Sequence, residues 1–90
     1  MKEKELERIF KALANKRRLA VISFIKKKKQ ANVGEIAEAI KLSFKSTSRH
    51  LGVLASAGVL DKEQNKLFSI YSFPTDQPPA LIKVLSVINS

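Results

Sequence analysis

Leu42-Ser-Phe-Lys-Ser-Thr-Ser-Arg-His-Leu-Gly-Val-Leu-Ala-Ser-Ala-Gly-Val-Leu60 reads as one helix with a sorted surface. Ser43 is placed to accept from an orphan amide of the first turn, and Gly58 can take the left-handed conformation that ends a helix. At about 100° per residue, Phe44, Thr47, Leu51 and Leu54 fall on one face. Lys45, Ser48, Arg49 and Gly52 fall on the opposite face, with no carboxylate among them. A helix that is apolar behind and basic with short polar groups in front suits a DNA major groove, where arginine and lysine donate to guanine edges and serine donates or accepts. An ordinary amphipathic surface helix has the same pattern, so the neighbouring elements decide between the two.

Upstream, Leu6, Ile9, Phe10 and Leu13 have i, i+3, i+4, i+7 spacing and predict a first helix over residues 2–13, with Glu3, Glu5 and Glu7 in its early turns. Asn15 can cap a second helix over 16–28 with Leu19, Ile22 and Ile25 inward. A third, over 33–40, would bury Ile36, Ala37 and Ile40. Lys41 and Leu42 leave only a tight turn before the next helix, which is a helix-turn-helix signal. After Gly58 the period becomes that of strands. Residues 59–63 and 67–73 are rich in branched and aromatic side chains around the polar turn Gln64-Asn65-Lys66, which predicts a β-hairpin. Pro78 and Pro79 then open a last helix, over about 78–89, striped by Leu81, Val84, Leu85 and Ile88. The expected fold is mainly α with a small β-hairpin: a winged helix-turn-helix of about five helices and a two-stranded wing, in a single domain spanning residues 1–90.

Charge is unevenly distributed. The chain carries a net +9, and residues 1–50 hold 14 of the 17 Lys and Arg but 5 of the 8 Asp and Glu. The excess therefore lies on the segments that precede and begin the candidate recognition helix, which points to a polyanionic partner. No cysteine is present, which excludes disulfides, thiolate metal sites and thiol redox sensing within these residues. No apolar run approaches the roughly 18 residues of a membrane span, and the first residues lack the apolar centre of a signal peptide. A cytoplasmic protein with no membrane partner is expected. No carboxylate pair, nucleophile–base pair or phosphate-cradling glycine loop is visible, so an enzyme is not expected, nor any cofactor.

Several residues carry two readings. His50 is the only histidine, and packing or a phosphate contact suits it better than catalysis. Lys16, Arg17 and Arg18 open a helix, where cations oppose the dipole. That implies either a nearby anion such as phosphate or a pairing of Arg18 with Glu35 or Glu38. Residues 26–29 read as a solvated helix end that complements the dipole. Lys62 and Lys66 flank the hairpin tip, where they can touch DNA or simply guard strand edges. The stripes at 6–13 and 81–88 exceed what a three-helix core and hairpin can cover. This predicts that the terminal helices pack in a homodimer, with Leu6, Ile9, Phe10, Leu13, Leu81, Val84, Leu85 and Ile88 in the interface.

With that order of elements, the chain resembles the ArsR-type winged helix-turn-helix repressors. Phe10-Lys-Ala-Leu-Ala-Asn-Lys-Arg-Arg-Leu19 is similar to the family's opening, and Glu35-Ile-Ala-Glu-Ala-Ile40 to its third helix. Ser46-Thr-Ser-Arg-His-Leu-Gly-Val-Leu54 with Ala57-Gly-Val-Leu60 resembles its recognition helix and exit, and Ile70-Tyr-Ser-Phe73 the close of its wing. The resemblance implies a homodimeric repressor on a two-fold symmetric double-stranded operator. It places base reading on Phe44, Lys45, Ser48 and Arg49, with Ser46 and His50 nearby, and wing contacts on Lys62 and Lys66. Phe44 stands where the family often has glutamine, and Thr47 where a small aliphatic is usual. Family metal sensors place paired cysteines where this chain has Ala31-Asn-Val-Gly34, or carboxylates and histidines on the last helix, where it offers only Asp76 near the start. A metal needs three or four converging ligands, so no metal response is expected. A winged-helix protein-interaction module without specific DNA readout is the alternative, favoured by Phe44 and the near-neutral second half.

Overall fold

A computed structural model describes residues 2–88, with five helices and three strands in the order α1 (Glu3–Leu13), α2 (Lys16–Lys28), β1 (Gln30–Asn32), α3 (Val33–Ile40), α4 (Phe44–Ser56), β2 (Asp61–Gln64), β3 (Ser69–Ser72) and α5 (Pro79–Ser86). The end of the helix expected over 78–89 lies partly outside the described residues. Each internal helix begins on a side-chain cap. Asn15 Oδ1 accepts from the amides of Arg17 and Arg18 at 3.0 and 3.1 Å. Asn32 and Glu35 form a reciprocal capping box at 2.8 and 2.9 Å. Ser43 Oγ accepts from the Ser46 amide at 3.1 Å. Between α3 and α4, Lys41 takes a left-handed conformation with φ 56°. At the exit of α4, Gly58 does so at φ 79°, letting the Val59 amide reach back to the Leu54 carbonyl at 2.9 Å.

The wing differs from the expected hairpin in two respects. A third strand, β1, joins it in the antiparallel order β1-β3-β2, with Ala31 and Lys62 flanking the buried Tyr71. Three residues are too few to show alternation in a sequence. The strand arises because Lys29, at φ 76°, turns the chain out of α2 and alongside β3. The turn is also displaced toward the C-terminus. Asn65 Oδ1 accepts from the amides of Leu67 and Phe68 at 3.0 and 2.8 Å, so the strands stop at Gln64 and resume at Ser69. Val59 and Leu60, expected at the start of the first strand, are core residues instead.

One hydrophobic cluster links all five helices and the sheet. Val21, Ile22, Ile25, Ile36, Leu51 and Leu54 are completely enclosed. Leu19, expected inward, is exposed, and Val21 fills that role. The terminal helices require a larger correction. Ile9, Leu13, Leu81 and Leu85 lie in the subunit's own core rather than awaiting a partner. One subunit can cover half of each stripe because α1 and α5 join the cluster shared by α2 and α4. Leu6, Val84 and Ile88 remain half-buried, and Phe10 is 50% exposed.

Four cationic side chains tie the C-terminal ends of helices to other elements. Arg18 Nε donates to the Ala12 carbonyl of α1, and Arg17 Nη1 to the Ile40 carbonyl of α3 at 3.1 Å. Arg8 Nη2 donates to the Ser56 carbonyl of α4 at 2.9 Å. Lys26 Nζ donates to the Leu85 carbonyl of α5 at 3.0 Å and to the Ile88 carbonyl just beyond that helix at 2.6 Å. The anions implied by the cluster at 16–18 are therefore the negative poles of α1 and α3. Arg18 meets neither Glu35, whose carboxylate is spent in its capping box, nor Glu38. Lys26 likewise leaves the solvated set, while Lys27, Lys28 and Lys29 stay exposed.

Thr47 is fully enclosed, and its hydroxyl has no hydrogen-bond partner. A buried, unsatisfied hydroxyl costs about 1–3 kcal/mol. Thr47→Val, which keeps the shape and removes the polar atom, should raise stability by about 1 kcal/mol, read as a higher urea midpoint at unchanged slope. A lower midpoint would show that the hydroxyl is satisfied.

Candidate nucleic-acid interface

The outer face of α4 is built as its sequence requires. With Thr47, Leu51 and Leu54 locked inward, Lys45, Ser48, Arg49 and Gly52 are carried outward and exposed. Ser46 and His50 lie half-buried at the flanks. Phe44 departs from the wheel. It shares the angular sector of the core residues, yet it is 63% exposed. It is the first residue of the helix, and its side chain tilts toward the N-terminus, beyond the end of the core. It lines a cleft of about 290 Å³ with Leu67 and Phe68 of the wing turn, which are themselves exposed. This apolar group went unrecognised because the sequence assigned both wing residues to a strand. Lys62 and Lys66 are exposed on the ribbon and its tip.

His50 is held by Arg18, whose Nη1 lies 3.1 Å from His50 Nδ1. Because arginine only donates, Nδ1 must accept and the proton of neutral His50 sits on Nε2. Burial, and then the charges of Arg18, Arg17 and Arg49, hold its pKa below the ordinary value of 6.5. Three arginine charges thus act on this ring, after burial. Among the described residues the one ion pair is Lys11–Glu7, loose at 3.9 Å and exposed on both sides. No group of three His, Cys, Asp or Glu among them could hold a metal ion. No helix among them is long and apolar enough to cross a membrane.

A lowered pKa means that the unfolded chain takes up a proton that the folded chain refuses. The stability contributed by neutral His50 is present above 6.5 and is lost as the pH falls through the folded value. A proton NMR titration should place the His50 midpoint below 6.5, and Arg18→Gln should move it upward. A midpoint at or above 6.5 would contradict the contact with Arg18.

Comparison with curated protein sequences found no match. Among solved structures, the homodimeric winged helix-turn-helix DNA-binding domain of a possible ArsR-family regulator from Mycobacterium bovis superposes with a TM-score of 0.79 at 22% identity, covering 94% of this chain and 75% of that one. The transcriptional repressor PagR of Bacillus anthracis gives 0.79 at 24% identity, over 96% and 94%. HlyU of Vibrio cholerae gives 0.76 at 25% identity, over 94% of each. These likenesses show the winged helix-turn-helix fold. The family description "bacterial regulatory protein, arsR family" matches residues 15–62, from the cap of α2 through α4 into the wing. With more than half its length matched and α4 built to face outward, the chain belongs to the arsR family of bacterial regulatory proteins, DNA-binding regulators of transcription.

Proposed function

We propose that this chain is a homodimeric repressor that reads a two-fold symmetric operator in double-stranded DNA and acts in the cytoplasm without a metal signal. One observation carries the reading: the exposed, carboxylate-free face of α4, fixed by a fully buried reverse face. Phe44, Lys45, Ser46, Ser48, Arg49 and His50 would enter the major groove, with Lys62 and Lys66 of the wing against the backbone. Supporting the absence of a metal signal, the chain has no cysteine and one histidine, and that histidine is engaged by Arg18. No constellation suited to catalysis accompanies this surface.

For the dimer, the apolar surface that the subunit leaves uncovered becomes the argument. Leu6 and Phe10 line a cleft of about 470 Å³ on α1, and on the last helix Ile82 is exposed beside half-buried Val84. A second copy would cover them, with Ile88 at the margin. The Mycobacterium bovis domain is described as homodimeric, which agrees. Phe10→Asp, at a position exposed in the subunit, should give a folded monomer by light scattering. An unchanged dimer would place the interface elsewhere. Ile9, Leu13, Leu81 and Leu85 do not serve this purpose, because a carboxylate there would destroy the core.

A second reading, a protein-interaction module, is favoured by the exposed Phe44, Leu67 and Phe68. Fluorescence anisotropy separates the two. On a cognate site, Arg49→Ala should cost about 1–3 kcal/mol and flatten preference at one base position. Lys66→Ala should weaken all sequences alike and lower the salt slope by about one unit. DNA affinity no greater than that of a generic basic protein would favour the interaction module. Equal, sequence-independent losses in both variants would exclude base reading through Arg49.

A further inference from the structure

Between α1 and α4 lies a cleft of about 600 Å³, a volume typical of small-molecule sites. Its walls carry four cations, Arg8 and Lys11 from α1, Arg18 from the start of α2 and Arg49 from α4, and no carboxylate lines it. Its floor is apolar, formed by Ala12, Val53 and Ala57 beside Gly52. Two of the guanidinium groups are anchored by main-chain carbonyls, Arg8 on Ser56 and Arg18 on Ala12, so the charges are preorganised rather than free to swing away. Arginine has five donors, and these bonds leave Arg8 several to offer a ligand. A Cβ built on Gly52 would meet nothing within 4 Å, so no neighbour demands the glycine, although glycine weakens a helix interior. Its effect is to keep the cleft open.

We propose that this cleft binds a small organic anion with an apolar body, and that its occupant competes with DNA for Arg49. Concentrated positive charge, with only Lys11 loosely paired at 3.9 Å to a Glu7 that does not line the cleft, selects an anion. The apolar floor selects an attached hydrocarbon or aromatic body, which a sugar–phosphate backbone does not supply. Arg49 belongs to both the cleft and the outward face of α4, so ligand and DNA draw on one side chain. The competition, unlike the binding itself, rests on the reading of α4 as the groove helix. It makes the anion the releasing signal, and by linkage DNA must weaken the anion by the factor by which the anion weakens DNA.

The test is a fluorescence titration of the full chain, without DNA, with 8-anilinonaphthalene-1-sulfonate, an aromatic body bearing one anion. Binding should saturate at one probe per chain. Arg8→Gln with Lys11→Gln, and separately Val53→Glu, should each weaken it at least tenfold with the helical circular dichroism unchanged. The uncharged analogue N-phenyl-1-naphthylamine should bind at least tenfold more weakly. Probe binding that survives both variants, or an analogue that binds equally, overturns the proposal. So does a wild-type chain that shows no saturable binding while the double variant loses DNA affinity, since the cations would then serve the duplex backbone. In a second arm the probe should release bound DNA. Simultaneous, independent binding overturns the competition, whereas a chain that binds the probe but no DNA upholds the anion site and removes the groove reading instead.

Discussion

Capping of helix C-termini by cations from other elements is the constraint on which this small fold depends. Every helix ends in orphan carbonyls carrying roughly half a negative charge, and a domain of this size has little core with which to hold helices in register. Here Arg18 closes α1, Arg17 closes α3, Arg8 closes α4 and Lys26 closes α5. Each contact is worth about 0.3–1 kcal/mol when exposed and up to about 2 when partly buried. Those are sizeable shares of a net stability of about 5–15 kcal/mol. The contacts also have direction. Arg8 sets the C-terminal end of α4 against α1, while Ser43 fixes its N-terminal end, so the outward face of α4 is aimed from both ends.

The same contacts explain what the sequence showed and what it hid. Local signals were legible. Asn15 and Ser43 cap helices where the sequence placed caps, and Gly58 ends α4 with the predicted positive φ, whereas the capping box of Asn32 was not read. The sorted surface of α4 was legible for Thr47, Leu51 and Leu54 inward and for Lys45, Ser48 and Arg49 outward. Hidden features depended on distant partners. Arg17 reaches a carbonyl 23 residues away and Lys26 one 59 residues away, and no periodicity encodes such pairs. The terminal stripes were read correctly as helices, but whether they bury against their own subunit or a second is a question of geometry. Phe44 fits the wheel by angle and escapes the core only because it begins its helix. β1 is too short to leave a pattern.

α4 has three sides. One is welded to the core, one faces solvent with its lysine, serine and arginine, and one forms a wall of the cationic cleft against α1. Arg49 stands at the edge between the second and third. A helix organised this way can couple two ligands without any change of backbone, because both compete for one side chain. A family member with no cysteine for a thiolate signal would then retain a means of responding to its surroundings.

The central claim is that α4, presented twice by a homodimer, reads DNA sequence. Selection of bound fragments from genomic DNA, followed by footprinting of the enriched sites, tests it most directly. The account predicts one recurrent site with two-fold symmetry, its half-sites about one helical turn or a multiple of it apart, protected in successive major grooves. Enrichment of fragments with no shared sequence, or of a single asymmetric half-site protected by one subunit, would contradict it.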